Sequence, residues 1–273
     1  MKSRLSIAAV AVVAAFGAAP AFAAGVDCPV AHSALKRALL SAVSQANTAA
    51  NGGLGLNMWA TVVNREGYVC AVAFSGADYQ SQWLGSRAIS AQKANTANAF
   101  NLGPGSNASA SSLLGSTGLA LSTANLFSAV QPGGSLYGLQ HSNPVDTGNA
   151  YAGDADAFGT NGDPMIGTRV GGVNVFGGGL GLYDTNHKVV GGVGVSGDTS
   201  CTDHMIAWRV RNNLGLDHLM GVAGVSGDTS RPDNIVFDIT PNPNGGSGIS
   251  AGGFGHPTCL NPPNPANLPV VQK

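Results

Sequence analysis

The stretch Gly191–Ser200, GGVGVSGDTS, runs directly into Cys201, Asp203 and His204, so residues able to do chemistry are concentrated here. Gly192, Gly194 and Gly197 form a G-x-G-x-x-G pattern between a strand-like run and a helical run, and Asp217 stands 20 residues further on. In a dinucleotide site such glycines let a pyrophosphate rest on a helix N-terminus while the acidic residue holds the ribose. Here the neighbouring strand-like runs are joined by short turns, which favours antiparallel hairpins over βαβ crossovers. No second mononucleotide half is visible, and a chain with 40 glycines matches such patterns easily. The plainer reading is a strand ending in a tight turn that caps a helix, with Ser200-x-x-Asp203 resembling a capping box. The seven residues GVSGDTS return 30 positions later, but two copies do not make a solenoid, and the second copy runs into Arg231-Pro232 rather than a helix. Asp198, Asp203 and His204 cluster, yet no G-x-S-x-G elbow places a nucleophile and no P-loop is present. Hydrolase and phosphoryl-transfer readings therefore lack a motif, and no catalytic residue and no metal ligand is assigned.

The elements that must position these residues follow from periodicity. Pro29–Ala46 reads as a helix with Leu35, Leu39, Ala42, Val43 and Ala46 on one stripe. Met58–Asn64 and Tyr68–Gly76 read as a hairpin by their β-branched content and glycine turn. Trp83–Phe100 reads as a second long helix. Ser122–Gln131 reads as a short helix. Thr168–Phe176, Gly179–Asp184 and Val189–Gly197 read as strands, followed by a helix from Ser200. The chain ends in a Pro-rich tail.

The four cysteines include no C-x-x-C or C-x-x-C-H, which removes support for a zinc knuckle or a c-type haem attachment. Two structural disulfides are expected. A first helix of that length is about 27 Å long, and the returning strand covers about 26 Å. Cys28, just before the helix, and Cys70, just after the hairpin turn, thus come together, leaving Cys201 for Cys259.

The chain has 273 residues. Lys2 and Arg4, the apolar run Leu5–Ala19 and Ala21-Phe22-Ala23 have the pattern of a secretory signal over residues 1–23. The apolar run is short of the roughly 20 residues a membrane span needs. Removing it leaves 11 basic and 14 acidic side chains, a formal charge of −3, with no basic patch. A periplasmic or secreted location, no nucleic-acid partner and no membrane span in the mature chain are therefore expected. From Ala94 to Val145 there is no charged residue, although the segment is rich in Gly, Ser and Asn. Disordered segments usually carry charge, and uncharged surface is common at the centre of interfaces.

RAISAQKANTANAF, then RVGGVNVF, then KVVGGVGVSGDTSCTDHMIAWRVRNNL together resemble the GlcG/HbpS-like haem-binding family. The resemblance runs over roughly residues 30–100 and 166–216, and its last segment is the most specific. Lys93, Ala94, Thr96 and Ala97 match the family's KAxTA helix, and Gly171 and Gly172 match its GG pair. Val170 stands where a Glu is usual, and Asn174 where a Pro is usual, so any role of that Glu is absent here. The resemblance implies an α/β, profilin-like fold with a central antiparallel sheet flanked by helices, and a homo-oligomer. It divides the chain into a signal (1–23), a GlcG/HbpS-like domain (24–216) carrying an insertion at 101–165, and a Gly/Pro-rich extension (217–273).

The cofactor implied is haem, which needs an apolar slot, an axial ligand where one is used, and cations for its propionates. The resemblance offers Thr96 as a weak oxygen ligand, with Lys93 and Arg87 for the propionates. The plainer roles are helix packing for Thr96 and a solvated face for the two cations. His141 lies inside the uncharged segment, which is expected to cover the family pocket or an oligomer contact and so to bring this imidazole near the ligand. His204, in the first turn of the last helix, is kept neutral there and usable as a ligand. The expected function is an exported protein binding haem or another small ligand. The alternatives are an exported enzyme acting on a small organic acid or tetrapyrrole, and a structural assembly module.

Overall fold

A computed structural model describes residues 27–105 and 117–273. The expected signal, residues 1–23, lies outside the described residues. The elements are α1 (His32–Ala42), α2 (Thr48–Asn51), β1 (Trp59–Asn64), β2 (Val69–Phe74), α3 (Ser86–Ala99), β3 (Thr117–Ala120), α4 (Thr147–Ala150), β4 (Gly179–Tyr183), β5 (Val189–Ser196), α5 (Ser200–Asn213), β6 (Val222–Gly224), β7 (Ile239–Thr240) and β8 (Ile249–Ser250). Strands β2, β1, β5 and β4 form, in that order, an antiparallel sheet. This is the expected central antiparallel sheet flanked by helices. No helix among the described residues is long and apolar enough to cross a membrane.

Alternation along the strands explains the layers. Ala60, Val62, Val193 and Val195 face one way and pack with Leu35 and Leu39 of α1 and Met205 and Trp208 of α5. Trp59 and Val63 face the other way, against Ala88, Ala91 and Ala94 of α3. Gly192 and Gly194 sit on this second face. A Cβ at Gly194 would lie 2.0 Å from the Ser90 carbonyl oxygen, and one at Gly192 would lie 2.3 Å from that of Ala94. The glycine pattern is thus a packing device that lets α3 lie directly on the sheet. The nearby Thr61 and Ser90 hydroxyls share a 2.7 Å hydrogen bond.

Several boundaries differ from the sequence expectation. The first helix stops at Ala42, and a 3-10 turn (Gln45–Asn47) and α2 follow. The segment expected to be helical at 122–131 forms two 3-10 turns, Thr123–Leu126 and Ser128–Val130. Thr168–Phe176 is not a strand. Gly171 and Gly172 take φ of 65° and 78°, a conformation no strand accommodates, and only isolated bridges join this segment to Tyr68 and Val145. The last helix is capped one residue earlier than expected: Thr199 accepts from the Thr202 N–H, while Asp203 accepts from the Gly197 and Asp198 N–H groups.

Both expected disulfides are present, Cys28–Cys70 and Cys201–Cys259. The second ties the C-terminal extension to the start of α5. β6 pairs in parallel with β3, and Ala124 packs with Cys201 and Ile235. Leu268 and Val271 enter the main core, and the Trp208 indole N–H donates to the Pro269 carbonyl.

Candidate functional site

Helix α3 carries three of the residues expected to meet a ligand, and each is buried and engaged with protein groups. The Arg87 guanidinium makes a two-pronged ion pair with Asp163, donates to the Ala150 carbonyl, and lies 3.6 Å over the Phe158 ring. Lys93 is fully buried, with Nζ 2.6 Å from Asp203 Oδ2, 3.0 Å from the Val195 carbonyl oxygen, and facing the Phe176 ring. Neither cation occupies a solvated face. The Thr96 hydroxyl donates to the Gln92 carbonyl and accepts from the Asn174 N–H, so it fastens the segment after the GG pair to α3. His141 stands exposed in a turn closed by its N–H on the Gly138 carbonyl, and the structure does not bring it to the α3 residues.

Burial governs the electrostatics of this buried polar row. It pulls the Lys93 ammonium below its ordinary range and pushes the Asp203 carboxyl up to about 6, outweighing their mutual attraction at both ends. His204 is wholly buried, and burial brings it down to about 4. Its Nε2 lies 3.2 Å from Asn234 Oδ1 and from the Ile235 nitrogen, and its Nδ1 has no hydrogen-bond partner among the described residues.

A different imidazole faces a cleft. His256 comes from the extension, beside the Cys201–Cys259 disulfide, and packs at a tilt against Phe127, ring centroids 5.3 Å apart. Its Nδ1 is 2.7 Å from the Pro257 carbonyl oxygen and its Nε2 is 2.8 Å from the Ser200 hydroxyl. A carbonyl oxygen can only accept, so the proton sits on Nδ1 and Nε2 presents its lone pair. Burial holds the ring down to about 4, so it is neutral at pH 7. The ring borders a cleft of ≈ 320 Å³ walled by Phe237, Ile239, Pro241, Pro257 and Thr258. That volume is near the lower bound of ordinary ligand pockets, which begin at about 300 Å³. Two other clefts, of ≈ 400 Å³ around Gly52 and Asn261 and of ≈ 380 Å³ around Arg37 and Asn213, have no histidine in their walls.

The sequence gives Ser200 a capping role alone and gives no role to His256, which stands just before a Pro-rich tail without a helical or strand period. The available signal was the spacing GHPTC: once Cys259 is joined to Cys201, His256 must lie close to the first turn of α5.

Comparison with known proteins gives one family. The model described as "Haem degrading protein HbpS-like" matches residues 30–212. Among solved structures, the Klebsiella pneumoniae protein ORFY is 25% identical, with 68% of this chain and 90% of that chain covered and a TM-score of 0.40. PduOC, solved as a haem complex, is 20% identical over 66% of this chain and 89% of that one, with a TM-score of 0.41. HbpS is 16% identical over 68% and 90%, with a TM-score of 0.39. No curated protein matches.

Proposed function

Because the chain belongs to the HbpS-like family, we propose that it is an exported haem-binding protein whose iron ligand is His256. The donor set differs between two places in the chain. On α3 it does not fit haem, since Arg87 and Lys93 are held by Asp163 and Asp203, and Thr96 is buried with its hydroxyl engaged. Beside the extension an imidazole donor lines a cleft, and the wall of that cleft holds no cation for the propionates. The observation that carries the reading is the His256 imidazole, neutral, with Nδ1–H fixed on a backbone carbonyl, Nε2 on the Ser200 hydroxyl, and the ring lining a cleft of mixed polar and apolar wall. Ligating histidines are characteristically oriented by such an N–H to carbonyl bond. Haem, when bound, supplies an iron centre able to take up imidazole and oxygen ligands.

The chain's own residues then have distinct tasks. Pro257 selects the tautomer, Phe127 packs at a tilt against the ring, and Phe237 and Ile239 give one wall of the cleft apolar surface. Ser200, bonded to Nε2 at 2.8 Å, would have to give up that bond for the imidazole to hold haem. The reading includes the division into a signal, a domain with an insertion, and an extension, and includes a homo-oligomer. Both disulfides are compatible with an oxidising compartment.

Hemin titration of the protein lacking residues 1–23 tests the assignment. A saturable Soret shift is expected, abolished by H256A and retained in H141A. If H141A abolishes the shift and H256A retains it, the ligand lies in the uncharged segment instead. Light scattering on the same samples checks the oligomer.

A further inference from the structure

We propose that Ser200 and His256 form a nucleophile and general-base pair with acyl-transfer activity toward small neutral carboxylic esters. This inference shares an imidazole with the haem reading but does not depend on it. Ser200 is half-buried at the first position of α5, and its Oγ is 2.8 Å from His256 Nε2. Because Nδ1–H is committed to the Pro257 carbonyl, Nε2 must accept, and the Ser200 hydroxyl must donate. That is the protonation state in which a serine is activated by a histidine, with a backbone carbonyl where a carboxylate usually orients the ring.

Two further observations bear on acyl transfer at this pair. The Ser200 N–H has no hydrogen-bond partner among the described residues, and the Cys201 N–H reaches only a disulfide sulfur, Cys259 Sγ at 3.2 Å. The Ser200 N–H, in the first turn of a 14-residue helix where the helix dipole favours negative charge, is therefore the donor left for an oxyanion, the Cys201 N–H being taken by the disulfide sulfur. The ≈ 320 Å³ cleft adjoins this pair through His256, and Ser200 is not part of its wall; it has no charged side chain, with apolar surface from Phe237, Ile239 and Pro241 and polar groups from Asn242 and Ser247. It suits an uncharged, short-chain acyl group and disfavours a phosphate or an acidic peptide.

The steps balance with water as the only co-reactant. Ser200 Oγ bonds to the acyl carbon as its proton passes to Nε2. The ester C–O bond then breaks, and that proton leaves with the alcohol. Water attacks the acyl-serine, its proton passing through Nε2 back to Ser200 Oγ, and a carboxylic acid is released. A carbonyl stabilises the transient imidazolium less than a carboxylate does. Turnover is therefore expected to be slow and acylation of Ser200 to be the clearer readout.

The test uses the haem-free protein, disulfides intact, with 4-nitrophenyl butyrate and with diisopropyl fluorophosphate. Expected are release of 4-nitrophenolate and one phosphoryl adduct per chain, mapped to Ser200 by peptide mass spectrometry. S200A should lose the adduct. H256Q, which keeps a polar side chain at the position, should label at least ~100-fold more slowly, the size of a general-base contribution. Circular dichroism of both variants establishes that they are folded. If the wild-type protein gives no adduct, or gives one on another residue, the proposal is wrong. It is equally wrong if folded H256Q labels at the wild-type rate. A hemin titration that fails while Ser200 is labelled removes only the haem reading, and labelling that fails while hemin binds removes only this one.

Discussion

Replacing Lys93 by methionine isolates the buried ion pair that joins α3 to the start of α5. Methionine approximates the length of the lysine stem, so packing changes little while the charge disappears. What remains is Asp203, whose side chain is 1% exposed, without its counter-ion. Breaking a buried pair in this way costs roughly 3–5 kcal/mol. Asp203 keeps the Gly197 and Asp198 N–H bonds, which places the loss near the lower figure, about 3 kcal/mol. The Asp203 carboxyl already lies at about 6 in the folded chain against 3.8 for the free side chain, and it moves further up once Lys93 is gone. A group raised by folding favours the folded state at low pH, and that advantage is lost as pH rises from 3.8 through the folded value. K93M should therefore recover stability on acidification, and K93M/D203N, which cannot ionise there, should not. The assay is urea unfolding of the wild-type protein and both variants from pH 5 to pH 8. The difference between the variants should shrink by at least ~1 kcal/mol between pH 7 and pH 5. The reasoning is refuted if K93M stays within ~1 kcal/mol of wild type at pH 7, or if the gap between the variants is independent of pH.

Two further outcomes follow from packing and from the tail. G194A puts a methyl group 2.0 Å from the Ser90 carbonyl oxygen and 2.5 Å from the Ala94 nitrogen. Because both are backbone atoms of α3, it should destabilise by ~1–3 kcal/mol or more, read as a lowered thermal midpoint. The double variant C201S/C259S removes a link across 58 residues and should lower stability by about 4 kcal/mol on the chain-entropy account. Limited proteolysis should then cut the extension first, and unchanged resistance would show that β6, Leu268 and Val271 hold it without the link.

Much of the frame was legible in the sequence because it rests on local rules. The hairpin, α3, β4, β5 and α5 all follow from alternation or helical period, and the two disulfides from element lengths and elimination. The failures share a different cause. Val-Gly-Gly-Val-Asn-Val-Phe keeps a strand-like pattern because glycine is silent in hydrophobic periodicity, and only docking against α3 reveals the positive φ at Gly171 and Gly172. Arg87 and Lys93 read as solvent-facing because their carboxylate partners lie 76 and 110 residues away. No local signal pairs charges at that distance. His256 was hidden in the same way, since its neighbours Ser200 and Phe127 are brought to it only when the extension folds back.

That folding back has a consequence for the order of events during synthesis. The Met220 N–H donates to the Gln272 carbonyl, the Val271 N–H to that of Ser230 and the Gln272 N–H to that of Asp217, while Leu268 and Val271 complete the cluster around Trp208. A growing chain therefore reaches residue 212, the end of the family match, with that cluster still open and Cys201 still waiting for Cys259. The native contacts of Trp208 cannot close until some sixty more residues have left the ribosome, which is several seconds at ordinary elongation rates of about 5–20 residues per second. During that interval Leu268 and Val271 have not yet covered the Trp208 cluster. Moving residues 217–273 to the front by circular permutation would reverse this order, and closure of the Trp208 cluster would then no longer wait on the extension.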